Sequence, residues 1–205
     1  MKFTKIPETT FANLQLNAGV LLSTFNVSTP TVADANIIGA TTGGVTFNAT
    51  PTFNDFGEDI DNCPKNMLEL KKLDQWEVTM SGSFVTASAT MVKRLISAGT
   101  LSGNKITPRQ DVLISDFEDV WWVGDYSDKN GETNGGFLAI HMLNTLATGG
   151  FSLKSGDKAK GTFDFEFTGH YSMDAQTVVP FEVYVVAGTD EPTTQSLEEE
   201  DEENG

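Results

Sequence analysis

Thr162-Phe163-Asp164-Phe165-Glu166-Phe167-Thr168 alternates aromatic and polar side chains without a break. Period two is the mark of a half-buried β-strand, because successive side chains leave opposite faces. Working outward, Trp76, Val78, Met80 and Phe84 alternate with Glu77, Thr79, Ser81 and Ser83. Val45, Phe47, Ala49 and Phe53 alternate with Thr46, Asn48, Thr50 and Thr52, and Leu14, Leu16, Ala18, Val20 and Leu22 with Asn13, Gln15, Asn17, Gly19 and Leu21. Trp121 to Tyr126 is a further strand candidate. Phe137 to Leu146 is apolar on both faces, with Leu138, Ile140, Met142 and Leu146 on one and Phe137, Ala139 and Leu143 on the other. That pattern predicts a central strand, or one covered on its second face. Val179 to Val186, with Phe181, Val183 and Val185 in phase, closes the series, and Pro180 places its start at an edge.

One segment departs from this rhythm. Met91, Val92, Leu95 and Ile96 stand at helical spacing within Ser88–Ala98, with Ser88 as the N-cap and Gly99 as the stop. The turns are explicit at Asp125–Gly136, Gly149-Gly150 and Lys154–Lys158. Residues 54–73 are charged and without alternation, which predicts a long loop of the kind that is functional or disordered. The expected fold is all-β, an antiparallel barrel or sandwich with one flanking α-helix. An N-terminal arm (1–10), a β domain (11–189) and an acidic, unpacked tail (190–205) divide the chain.

Composition narrows the function. The 205 residues hold one ordinary domain, and no run approaches the ~20 apolar residues of a membrane helix. The first residues, Met1-Lys2-Phe3-Thr4-Lys5-Ile6-Pro7, lack the apolar run of a signal peptide, so synthesis in the cytosol is expected. A single cysteine, Cys63, excludes an internal disulfide. The net charge is −16, of which eight negative charges lie from Asp190 onward, so the body still carries −8. Gripping DNA or RNA requires cations against phosphates. An acidic surface does the opposite and keeps nucleic acid from sticking.

Reactive constellations are sparse. His141 and His170 with one Cys cannot build a tetrahedral Cys/His zinc site, and no metal or other cofactor is expected. No Gly-x-Ser-x-Gly elbow, Walker loop or dinucleotide fingerprint occurs, and Asp55-Phe56-Gly57 has none of the kinase context. Aligning Gly131 with the glycine of a calcium loop puts Tyr126 and Phe137 where carboxylates belong. The cluster Asp55, Glu58, Asp59 and Asp61 suits a cation better, and a charged contact loop better still. An enzyme is not expected. Lys154, Lys158 and Lys160 form the main basic cluster, either a solubilising turn or a contact for an acidic patch on a neighbouring copy. Trp121 and Trp122 point to opposite faces of one strand. One belongs in the core; the other needs cover from a neighbouring subunit or from the helix.

Phe53–Lys65 leading into Glu69–Gly82, then Val92–Ile96, Ile106–Arg109, Val120–Tyr126, Gly135–His141 and Phe165–Tyr171 follow one another along the chain. Taken together, these stretches resemble the major tail tube proteins of phages with long non-contractile tails. The resemblance spans roughly residues 11 to 187 and excludes the acidic tail. It implies a virion structural protein: homohexameric rings stacked into a tube, assembled in the host cytoplasm, whose lumen conducts DNA during ejection without binding it specifically. It further implies contact with a tape measure protein and with tail terminator and distal tail proteins. On this reading the 54–73 loop and Met1–Thr10 mediate stacking, with Asp55, Glu58, Asp59, Asp61, Lys154 and Lys158 as inter-ring contacts. Glu77, Asp164 and Glu166 are candidates for the lumen lining, and Trp121 and Trp122 for subunit contacts. The alternative is a monomeric β-sandwich module, for carbohydrate for example, with Trp121 or Trp122 as its platform.

Overall fold

The computed structural model describes residues 6–7, 10, 13–126 and 135–188. Eleven strands are present among them: β1 (Gln15–Leu22), β2 (Ile37–Gly39), β3 (Thr41–Asp55), β4 (Lys71–Phe84), β5 (Gly99–Ser102), β6 (Lys105–Pro108), β7 (Glu118–Tyr126), β8 (Phe137–Ala147), β9 (Ser152–Lys154), β10 (Thr162–Gly169) and β11 (Phe181–Val186). One helix, α1 (Ala89–Ile96), lies between β4 and β5. The expected class holds: the chain is antiparallel β with a flanking helix. The acidic tail and most of the N-terminal arm lie outside the described residues, as does the turn at 127–134 with its calcium-like sequence.

The main sheet runs β2-β1-β7-β8-β10-β4-β3, with β11 added to β8 and β9 to β10. Its two ends are consecutive in the chain. β2 pairs with β1, β3 pairs with β4, and only Ala40 stands between them. The Ala40 carbonyl accepts the Val85 N–H at 2.8 Å, so the strand changes partner without losing its backbone hydrogen bonds. The sheet therefore curls until its edges meet, which is barrel closure.

Inside lies one core of Leu21, Val78, Met80, Phe84, Val120, Trp122, Met142, Phe165 and Phe167, closed by Met91 and Leu95 of α1. The β10 alternation is realised as expected: Phe165 and Phe167 are buried, while Asp164 and Glu166 face outward. β8 is central, with β7 on one side and β11 and β10 on the other. Its two apolar faces serve two cores: Ile140 and Met142 the first, Phe137 and Ala139 a second with Leu22, Phe25, Trp121 and Val123.

Strict alternation fails where the backbone turns left-handed. Asn144 has φ 49°, which shifts the phase of β8, so Ala147 joins Met142 in the first core and Leu146 does not. In β1, Asn17 and Gly19 have φ 62° and 70°, and the register with β7 jumps between Leu16 and Val20. These are bulges. A Cβ on Gly19 would stand 2.5 Å from the Trp122 indole, so the bulge also makes room for that ring.

Three more expectations need correction. The segment 54–73 is not wholly loop. β3 and β4 continue into it, pairing Phe53 with Leu73, Asn54 with Lys72 and Asp55 with Lys71. Helix α1 is capped by Ser88, whose Oγ accepts the Met91 N–H at 3.1 Å, but it stops at Ser97 (φ 61°), not at Gly99, which opens β5. The Ser97 hydroxyl donates to the Ala147 carbonyl at 2.8 Å and fixes that reversal against β8. In β11 only Phe181 of the expected triplet packs on the core; Val183 and Val185 are exposed. The β5–β6 hairpin was not anticipated. It turns on Gly103 (φ 60°), the residue type a tight hairpin turn demands at that position.

Candidate functional site

The first surface is the projecting end of the β3–β4 hairpin. Val45, Phe47 and Ala49 pack on the core, and Phe53 continues their row after Pro51. At Phe53 the row runs out of core to cover: Phe53 and its partner Leu73 are 50% and 49% exposed. Beyond them Phe56, Ile60 and Leu68 are also exposed, Leu68 at 86%. The tip nevertheless has a defined shape. The Asp55 carboxylate accepts the Gly57 N–H at 2.9 Å and the Asn66 N–H at 2.8 Å. These two bonds hold its carboxyl below the usual carboxylate range against the opposing effect of burial, with lesser help from Lys71 and Lys65. Lys71 and Lys72 stand 5.6 and 5.8 Å from the Phe53 and Phe56 ring centroids. Asp55 is thus a turn-forming residue rather than a free contact charge, whereas Glu58, Asp59 and Asp61 remain exposed, Glu58 with Lys65 at 3.8 Å.

The second surface is the outer face of β3, β4 and β10. Register pairs Thr50 with Glu77, Asn48 with Thr79, and Thr46 with Ser81. Across β4, Ser81 meets Glu166 and Ser83 meets Asp164, whose Oδ1 accepts the Ser83 hydroxyl at 2.6 Å. Glu77, Asp164 and Glu166 therefore share one hydroxyl-rich face, as the sequence alternation predicts; at its ends the Lys160 ammonium lies 3.3 Å from the Thr42 hydroxyl, and Lys154 and Lys72 pair with Thr162 and Asn54.

The basic turn lies elsewhere. Lys154 pairs with Thr162, and Phe163 pairs with Phe84, so the Lys154–Lys158 turn sits at the Phe84 end of β4. The acidic hairpin tip sits at the Lys71 end of the same strand. Thirteen residue steps separate Lys71 from Phe84, or about 43 Å of strand. The structure does not bring the lysines and the Asp55–Asp61 group together within one chain; it places them at opposite ends.

The tryptophans are both internal. Trp122 is in the first core and its Nε1–H donates to the Ala18 carbonyl at 3.0 Å. Trp121 is 8% exposed, stacked on His141 at 3.8 Å and packed by Phe25 and Tyr184. Neither the helix nor a neighbouring subunit is needed to cover it. Phe25 comes from the irregular segment after β1, a long-range contact that no local periodicity signals.

Other polar groups are committed to the fold. Lys93 reaches Asp116 and Glu118 at 3.5 and 3.2 Å, Arg94 pairs with Glu118 at 2.5 Å, and Arg109 pairs with Asp116. Beside α1 a cleft of about 180 Å³ is lined by Ser23, Asn36, Ser88, Arg94 and Glu118. That is smaller than an ordinary small-molecule site. His170 sits against the Asn144 carbonyl at 3.1 Å and the edge of Phe117. Among the described residues no group of three or more His, Cys, Asp or Glu could hold a metal. No protein-family model matches the chain, and no curated protein matches it either.

Proposed function

We propose that the protein is a structural subunit of a phage tail tube, six copies to a ring and ring upon ring, around a lumen through which DNA leaves. The observation that carries this reading is the polarity of β4. An apolar, acid-rimmed hairpin projects from one end, and a basic turn stands at the other. A surface at one end that complements a different surface at the other makes head-to-tail contacts, which propagate along an axis rather than close into a dimer. The outer β3–β4–β10 face supports the same reading as a lumen wall. It is polar, carries Glu77, Asp164 and Glu166 along its middle, and keeps its lysines (Lys72, Lys154 and Lys160) to the two ends, which limits its grip on phosphates. The exposed edge of β11 provides a place for a neighbouring sheet to join.

The carbohydrate-module alternative has lost its platform, since Trp121 and Trp122 are both buried. Negative-stain microscopy of the concentrated protein separates the two. Rings and tubes with an open lumen are expected; a species that stays near 22 kDa at every concentration rejects the tube reading.

A further inference from the structure

His141 occupies an unusual position for a residue in an apolar strand. Its Nε2 lies 3.1 Å from Asp119 Oδ2 on β7, and its Nδ1 lies 3.5 Å from Glu182 Oε2 on β11. The ring lies flat on Trp121, 3.8 Å away and 10° from parallel. A neutral imidazole has one N–H and one bare acceptor nitrogen, and an ionised carboxylate only accepts. One of the two contacts would then set lone pair against lone pair. Both are satisfied together only by the imidazolium, whose charge also favours the face of the indole.

Glu182 and Tyr184 hold their ordinary protonation states across the neutral range. The Glu182 carboxyl is held below the usual range chiefly by the Tyr184 hydroxyl, which donates to Oε2 at 2.5 Å, and further by His141, against the effect of burial. The Tyr184 hydroxyl is pushed up by the same bond. The other oxygen of Asp119 accepts the Asn144 N–H at 3.0 Å. From α1, Arg94 donates to the Asp119 backbone carbonyl at 3.3 Å and gives its charge to Glu118. Asp119, Glu182, Tyr184 and Arg94 are thus the charged and titratable groups around the ring, and histidine is the side-chain type whose ordinary charge change falls between about pH 5 and 8.

We propose that His141 is a proton-operated latch for β11. Protonated, it ties β7 to β11 across β8; deprotonated, it can serve only one carboxylate, and β11 loosens. β11 depends on this tie because, among the described residues, its ladder runs along β8 alone, with Val183 and Val185 exposed. Loosening it uncovers the backbone of Phe137–Met142 on that side. The latch is independent of the tube reading and stands or falls separately.

Amide hydrogen exchange on the full chain tests it, comparing Phe181–Val186 with Val78–Phe84 of β4 after correction for intrinsic rates. Losing one charged hydrogen bond predicts that β11 protection relative to β4 falls about tenfold between about pH 5.5 and about pH 8. His141→Phe keeps the stack on Trp121 and removes both donors, so β11 should then exchange at the loosened rate at both pH values. Glu182→Gln, which leaves His141 in place, should shrink the pH response and serves alone if the first variant does not fold. An unchanged β11 ratio across pH in the wild type overturns the proposal, as does an equal pH response in either variant.

Discussion

Asp116 shows how a single side chain holds two elements together. It is 7% exposed, sits just before β7, and receives Arg109, Lys93 of α1 and the Leu113 N–H. Burial alone would raise its carboxyl, but the Leu113 N–H and the two cations outweigh that and hold it below 3.8. A depressed carboxylate contributes stability that is complete above its unfolded pKa and is lost as pH falls through the folded one. Asp116 therefore adds stability above about pH 5 that drains away below pH 3.8. Asp116→Asn should cost about 2–3 kcal/mol at neutral pH, because Lys93 and Arg109 lose a charged partner in a largely dry site. In denaturant melts the difference from wild type should narrow as pH drops towards 3; a pH-independent difference rejects the charge account.

At the scale of elements, the alternating strands were legible because each has one face on a core. β10, the Trp76–Phe84 part of β4 and the Val45–Ala49 part of β3 obey period two for that reason. What was not legible came from partners. The bulges at Asn17–Gly19 and Asn144 depend on the register with β7 and on the site of the Trp122 ring, neither of which is a local property. The β5–β6 hairpin is four residues to a strand, too short to show a period. The 54–73 stretch misled because charged residues stand on strands that have left the barrel, where no core enforces alternation. The same geometry yields a prediction. Phe56 and Leu68 are exposed, so Phe56→Ser with Leu68→Ser should move thermal stability by no more than about 0.5 kcal/mol per site. If the hairpin is the stacking contact, this double variant melts like wild type yet forms no tubes in the microscope. Tubes of normal length would remove the hairpin from the interface.

For the whole molecule, the basic turn and the acidic tip can meet only between copies. Reversing Lys154 and Lys158 to Glu should leave a folded subunit and impair tube growth, more so at low salt, where exposed charges act over a longer range. Sedimentation across a salt series reads this directly. Equal tube yield for variant and wild type at every salt concentration places the lysines outside the contact.

The partner change at Ala40 has one more consequence. An open sheet comes apart from its outermost strands, which peel away one at a time. Here the first and last members of the order are a single stretch of backbone, so neither can peel away without pulling on the other. Among the described residues, the appended β9 and β11 and the end of the β3–β4 hairpin beyond the core are where fraying starts. Resistance to being pulled open is then a property of the hoop as a unit, borne in common by every rung around it. On the proposed tube reading, that suits a part loaded from within.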